Sequence, residues 1–192
     1  MNSVRKAPFY VCLMHWPMKN SKGQESASAL TNFDVHDFAR LCRTYAVDRF
    51  FIVHPMQEQR AFAHKIVGHW IAGAGAAMNP DRAEAHSVIQ IVASLDEVRA
   101  AVRESHPASS PLIVATKSAQ HPDDESFVQL RARVFEQQTP VVLCLGTAWG
   151  FTDAFLAEAD IRLAPVQPHA QYLHLSVRSA AAILIDRILG DR

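Results

Sequence analysis

The sequence predicts an α/β fold: a mostly parallel sheet with helices on both faces. Three observations lead there. Short, unbroken apolar runs recur along the chain, and segments of helical period separate them. The 192 residues are 49% hydrophobic and 20% charged, which gives length and apolar material for one sizeable core. A strand buried on both faces reads as a continuous apolar run, and parallel strands need helical crossovers between them. No internal repeat, low-complexity tract or Pro/Ser-rich linker divides the chain, so residues 1–192 read as a single domain.

The elements follow in order. Phe9 to Met14 reads as the first strand, because Trp16-Pro17 interrupts the apolar run and no small-residue cleavage site marks a signal peptide. Met18 to Ser28 is a polar loop with a turn at Asn20-Ser21-Lys22-Gly23. From Asp34, the residues Val35, Phe38, Ala39, Cys42 and Ala46 keep the i, i+3, i+4, i+7 spacing of a helix. Thr31, Asn32 and Asp34 offer N-cap oxygens for it. Arg49 to Val53 is a strand stopped by His54-Pro55, and a helix runs from Gln57 to Ile71. Residues 72–78 form a small-residue link, and Asn79-Pro80-Asp81 opens a short helix.

Val88 to Val92 is the next strand, and Ser94 to Glu97 has capping-box spacing at the start of a helix. Pro111 to Thr116 and Pro140 to Leu145 are strands, with a helix over 126–135 between them. Ile161 to Leu163 is short and extended. A last helix runs from His174 to Leu189, with Val177, Ala180, Ala181, Ile183, Leu184 and Ile188 as its apolar line. Ligands of such sheets bind at the carboxyl ends of the strands, which directs attention to the turns.

Charge narrows the function classes. Lys+Arg 19 balances Asp+Glu 19, so the surface as a whole is no polycation, and a nucleic-acid site must be local. Fourteen of the nineteen cations are Arg, the side chain suited to bidentate recognition of phosphate or carboxylate. No apolar run reaches the length of a membrane span. The three widely spaced cysteines, Cys12, Cys42 and Cys144, read as buried thiols of a cytoplasmic protein. Ten histidines form no H-x-x-x-H or H-x-x-E-H pair, and the expectation is no metal. The phosphate-binding loop, the dinucleotide fingerprint and the hydrolase elbow are all absent.

Three segments carry the functional signal. The first is Thr31 to Val47, in which Arg40 and Arg43 share a helical surface with His36 and Asp37. The second is Val142 to Phe151, where a buried strand ends in a turn flanked by Gly146 and Gly150 that lets a ligand approach the backbone. The third is the Pro-stiffened loop Leu163 to Pro168, followed by Tyr172 to Ala180. Each alone also reads as ordinary structure: a salt-bridged helix face, a tight turn, a surface loop before a packing helix.

In this order the three segments resemble the motifs of the SPOUT superfamily, knotted RNA methyltransferases that use S-adenosylmethionine (SAM), and within it a branch of stand-alone bacterial domains. The resemblance lies in Thr31-Asn32-Phe33-Asp34-Val35-His36-Asp37, Arg43-Thr44-Tyr45, His69-Trp70, Asn79-Pro80, Leu145-Gly146-Thr147 with Trp149-Gly150, and His174 to Ala180. It implies a C-terminal trefoil knot, a homodimer, an RNA substrate (tRNA or rRNA), SAM as cofactor and S-adenosylhomocysteine as product. Carried onto this chain, cofactor contacts fall on Thr116, on Leu145, Gly146, Thr147, Trp149 and Gly150, on Leu163, Pro165, Val166 and Gln167, and on His174, Leu175 and Ser176. The motif-one Arg falls on Arg43 and the motif-three Ser on Ser176, with Asp37 or His36 as candidate proton acceptor. Asp37 and His174 stand where the ribose-methylating branch has Asn, which takes ribose specificity out of the implication. Ala148 and Leu173 stand where the stand-alone branch has Gly and Asn. Two other classes stay open: a SAM- or nucleotide-binding regulator without transferase activity, and an α/β enzyme that holds a small phosphorylated substrate with its Arg cluster.

Overall fold

The computed structural model describes residues 4–166, 172 and 174–191. In chain order the elements are β1 (Phe9–Met14), β2 (Met18–Lys19), β3 (Glu25–Ser26), α1 (Asn32–Thr44), β4 (Arg49–Val53), α2 (Gln57–Ile71), α3 (Ala74–Met78) and α4 (Pro80–His86). They continue with β5 (Ile89–Val92), α5 (Leu95–Ser105), β6 (Leu112–Thr116), α6 (Phe127–Glu136), β7 (Val141–Gly146), α7 (Asp153–Glu158), β8 (Ile161–Leu163) and α8 (Val177–Leu189).

One parallel sheet runs in the order β5-β4-β1-β7-β6-β8, and β2 pairs with β3 in a small antiparallel ribbon. β1 sits at its centre with all six residues buried, Cys12 facing Phe51 on one side and Cys144 on the other. Alternate side chains supply two cores. Phe9, Val11 and Leu13 pack with α1, α6 and α8 through Phe38, Leu130 and Ile185; Tyr10, Cys12 and Met14 pack with α5 and α7 through Val98 and Phe155. This is why the strands read as unbroken apolar runs. The chain leaves β1 toward β4 and β5, then crosses to β6 and places β7 between β6 and β1. That reversal beside β1 is a topological switch point, where open α/β sheets hold ligands.

Local chemistry sets the boundaries. α1 begins at Asn32, two residues before the expected start, because Thr31 and Asp34 form a capping box. The box expected at Ser94 is half made: Glu97 N–H donates to Ser94 Oγ, but the Glu97 carboxylate accepts from Ala93 N–H. α8 begins at Val177, not His174, with Ser176 as N-cap. α3 and the β2–β3 ribbon fall in stretches the pattern leaves as link or loop. They are short elements whose residues pack on neighbours and carry no amphipathic period long enough to read. Among the described residues no helix is long and apolar enough to cross a membrane.

Candidate functional site

The strand ends between β1 and β8 open into a cavity of about 590 Å³. Four strips of chain wall it: Thr116 to Ser118 after β6, Leu145 to Gly150 after β7, Ala164 to Val166 after β8, and His174 to Val177 leading into α8. Ser28, Ala29, Thr31 and Asp34 close it from the loop before α1. The volume lies within the range of small-molecule and cofactor sites.

The turn after β7 is fixed from several sides. Thr147 Oγ1–H donates to the Met14 carbonyl at 3.2 Å, and its N–H points at Met18 Sδ at 3.2 Å. Trp149 N–H donates to Lys19 O, and Lys19 N–H donates to Gly150 O at 2.8 Å. Ala148 and Gly150 both take the left-handed conformation, with φ +50° and +85°. Gly146 does not serve as a gap for the ligand. A Cβ there would stand 3.2 Å from Met18 Sδ and the Phe151 ring, so the glycine lets the turn close over its own underlayer.

Under this turn lies a buried polar group. The rings of His15 and His54 stack with centroids 5.3 Å apart, at 0% and 1% exposure. Ser28 is held by both: its N–H donates to His15 O, its C=O accepts from His54 Nε2, and its Oγ meets His15 Nδ1 at 3.0 Å. Ser28 Oγ also bonds Thr147 Oγ1. Thr147 gives its only hydroxyl proton to Met14 O, so Ser28 must donate to Thr147 and His15 Nδ1–H must donate to Ser28. That places the ring proton of neutral His15 on Nδ1. Burial, with His54 alongside, holds the His15 pKa down to about 3.

The apolar lining comes from Leu145, Pro165, Val166, Leu175 and Leu184, and the polar lining from Ser28, Thr31, Lys117, Ser118 and main-chain groups of the turns. Lys117 is paired with the buried Asp124 at 2.9 Å. Both Asp34 oxygens have neighbours: Oδ2 accepts from Thr31 N–H and Oγ1–H, and Oδ1 lies 3.7 Å from Arg178 Nε. An apolar slot with hydroxyl and main-chain groups at its edges suits a flat heterocycle joined to a polar tail.

Of the twelve cofactor positions expected on described residues, Thr116, Leu145, Gly146, Thr147, Trp149, Gly150, Pro165, Val166, His174, Leu175 and Ser176 line this cavity. Leu163 does not: it is fully buried in the core beneath. Gln167, Pro168 and Leu173 lie outside the described residues. The four candidate reaction residues are divided. His36 and Arg43 do share a helix face, but it is turned to α4: His36 packs against His86 at 4.8 Å and Trp70 at 5.6 Å, and Arg43 Nε donates to Glu84 at 2.8 Å. Asp37 lies on another face and accepts from Arg178 Nη1 at 2.9 Å. It lines a second groove of about 540 Å³ with Arg40, Thr44, Ser176 and Arg178. Ser176 borders both spaces.

Sequence reasoning missed Ser28, Asp34, Lys117 and Arg178 as site neighbours. Two signals were present: the three-residue spacing of Thr31 and Asp34, and the position of Lys117 directly after a buried strand.

The family model described as SAM-dependent RNA methyltransferase matches residues 8–190. The chain is 36% identical over 182 residues to a tRNA (guanine-N(1)-)-methyltransferase of Oleidesulfovibrio alaskensis, covering 95% of this chain and 42% of that protein. It is 37% identical over 184 residues to the protein of the same description in Nitratidesulfovibrio vulgaris, again covering 95% and 42%. The chain therefore spans less than half the length of these relatives. Among solved structures it is similar to the SpoU methyltransferase AviRb of Streptomyces viridochromogenes in complex with the cofactor AdoMet (TM-score 0.59, 10% identity, 97% of this chain and 58% of that one). It is also similar to the A. aeolicus TrmH/SpoU tRNA modifying enzyme (TM-score 0.55, 15% identity, 96% and 76%). At these identities the likeness is one of fold, that of the SPOUT class.

Proposed function

Because this chain belongs to the SAM-dependent RNA methyltransferase family, we propose that the cavity at the ends of β6, β7 and β8 holds SAM, and that the chain transfers its methyl group to tRNA as a homodimer, releasing S-adenosylhomocysteine. The carrying observation is that three turns far apart in sequence, 116–118, 145–150 and 164–166, converge with the start of α8 on one cavity at the sheet's switch point. The knotted threading implied by the SPOUT resemblance belongs to the same proposal, as does the reading of residues 1–192 as one domain.

The bound cofactor supplies an electrophilic methyl carbon on sulfur. The protein's part is to orient, exclude water and receive a proton. Leu145, Val166 and Leu175 would take the heterocycle, and main-chain groups of the 145–150 turn the polar tail. Asp37, held by Arg178 next to Ser176, is the carboxylate we assign as proton acceptor, since Asp34 is occupied in the helix cap. For an RNA phosphate, the groove position of Arg40 favours it over Arg43, which is paired with Glu84. In a two-fold pair formed on the α1–α8 face, Arg40 and Asp37 of one copy would stand beside the Ser176 edge of the other.

Calorimetry with SAM, followed by transfer of labelled methyl to bulk bacterial tRNA, tests the reading. We expect one SAM site per chain and RNA labelling that Arg40→Ala lowers at least tenfold with SAM affinity intact. SAM binding without transfer to any RNA would establish the regulator, and no SAM binding would leave the enzyme of a phosphorylated small molecule. Loss of labelling in Arg43→Ala but not Arg40→Ala would return the phosphate role to Arg43. The tRNA (guanine-N(1)-) activity in the relatives' names belongs to proteins more than twice as long.

A further inference from the structure

The mouth of the cavity is bordered by aromatic rings that the fold does not use. Trp149, on the turn after β7, is 62% exposed, and Tyr172, before α8, is 74% exposed. His174 stands between them, with its ring centroid 6.3 Å from Trp149 at 71° and 5.3 Å from Tyr172 at 70°. Trp149 and His174 both line the cavity. Burial explains most aromatic side chains of this protein, as with Phe9, Phe38, Phe50 and Phe51. It does not explain Trp149, whose backbone is tied to Lys19 while most of its indole faces solvent.

Resting on the proposed function, we infer that Trp149, with His174 and Tyr172 beside it, is a stacking platform for an unpaired nucleobase of the RNA substrate, so that the enzyme takes its target from a single-stranded or looped segment. Two independent lines support this. An edge-to-face contact covers at most one face of a ring, so Trp149 and Tyr172, 62% and 74% exposed, each keep a flat face open, and a flat face at a cavity mouth is what an extruded base stacks on. A base inside a helix cannot lay its face on such a ring or bring its edge to the cavity beneath. The second line is charge. With 19 cations against 19 anions, the chain has no broad positive field to gather phosphates. Grip on an RNA must then come from local contacts, and stacking is the contact that needs no net charge. A protein partner fits this rim less well, because the rings alternate with the polar Thr147, Ser176 and Ser118 and form no continuous apolar patch.

Two measurements test it on the full chain. In the first, Trp149→Ala and Trp149→Phe are compared with the parent for SAM affinity and for kcat/KM on tRNA. In the proposed reading the 145–150 turn meets the cofactor through its main chain and not through the indole of Trp149, so the platform predicts SAM affinity within about twofold of the parent in both. It predicts kcat/KM lower by roughly five- to 150-fold in Trp149→Ala, the span of one base–aromatic stack, and most of the loss restored in Trp149→Phe. A parallel loss of SAM affinity would assign the ring to the cofactor, an unchanged kcat/KM would remove the platform, and a shift from dimer to monomer would make the rim a protein interface. In the second, quenching of tryptophan fluorescence is followed with S-adenosylhomocysteine present. The probes are single-stranded oligoadenylate and the same strand in a duplex with oligouridylate. The quenching that the parent shows and Trp149→Phe lacks should appear with the single strand alone; equal quenching by duplex, or none, overturns the inference. If the parent methylates no RNA, the proposed function fails, and the quenching experiment still decides the platform.

Discussion

At the residue scale, the buried polar group under the turn after β7 makes the fold sensitive to acid. His15 is neutral in the folded chain, with a pKa near 3, and takes its ordinary value near 6.5 once unfolded. Below pH 6.5 the unfolded chain therefore binds more protons, and folding stability falls as pH drops from about 6.5 toward 3. His54 is shifted the same way by burial. From His15 alone the loss between pH 6.5 and 5 is on the order of 2 kcal/mol, at about 1.4 kcal/mol per unit. Urea midpoints measured near pH 7.5 and pH 5 should differ in the parent by more than in His15→Asn. Equal differences would mean that His15 titrates normally or that water reaches it. Because folded His15 stays neutral down to about pH 3, the Ser28 and Thr147 contacts that hang on it persist, and SAM affinity of the folded chain should not change through His15 over the same pH window. Nothing in the sequence announced this cluster: His15, His54 and Ser28 are far apart in the chain and follow no motif spacing; parallel pairing of β1 with β4 brings the two histidines to one edge, and the loop after β3 carries Ser28 to them.

At the element scale, α1 shows what periodicity can and cannot give. The seven-residue spacing of His36 and Arg43 correctly puts them on one face, but spacing does not say which neighbour covers that face. The apolar stripe Val35, Phe38 and Cys42 docks on the sheet, and that rotation sends His36 and Arg43 to α4 and Asp37, Arg40 and Thr44 to the groove beside α8. The same limit applied to Gly146, where the residue type announced a tight turn and left open which side needed the room. The α1 cap couples helix stability to the site. Thr31 Oγ1 accepts from Asp34 N–H and donates to the Asp34 carboxylate, which lines the cavity and lies near Arg178. Thr31→Ala should cost about 1 kcal/mol by loss of the cap and should loosen the Asp34 carboxylate at the cavity wall. Thr31→Ser, which keeps the oxygen, should recover most of both. A Thr31→Ala chain with unchanged urea midpoint would show that Asp34 caps the helix unaided.

At the scale of the whole molecule, the strand–helix alternation was legible because every sheet strand is buried on one or both faces by helices of clear period, and the cavity was legible because parallel sheets place ligands at their carboxyl ends. The assembly has to be argued differently. The apolar lines of α1 and α8 are covered within the chain, with Phe38, Leu184 and Ile185 almost fully buried. What stays open between the two helices is the groove of about 540 Å³, with Ala182 exposed on α8, the half-buried Leu41 on α1, and Phe33 at 66% exposure under the Arg178 guanidinium. A two-fold axis through this face would set each copy's groove against the other, and every position there counts twice. A stable pair needs about 800 Å² buried per copy, which two helices of 13 residues each can supply together with their flanking turns. Light scattering at micromolar concentration should return twice the 21.3 kDa chain mass. Ala182→Arg puts two cations into the seam while remaining a good helix residue on an exposed position. It should give a folded monomer with the parent's circular dichroism and, if Arg40 and Asp37 act across the axis, RNA methylation reduced at least tenfold. A parent that scatters as a single chain would remove the dimer and leave Arg40 and Asp37 to act, if they act, on their own copy's cavity.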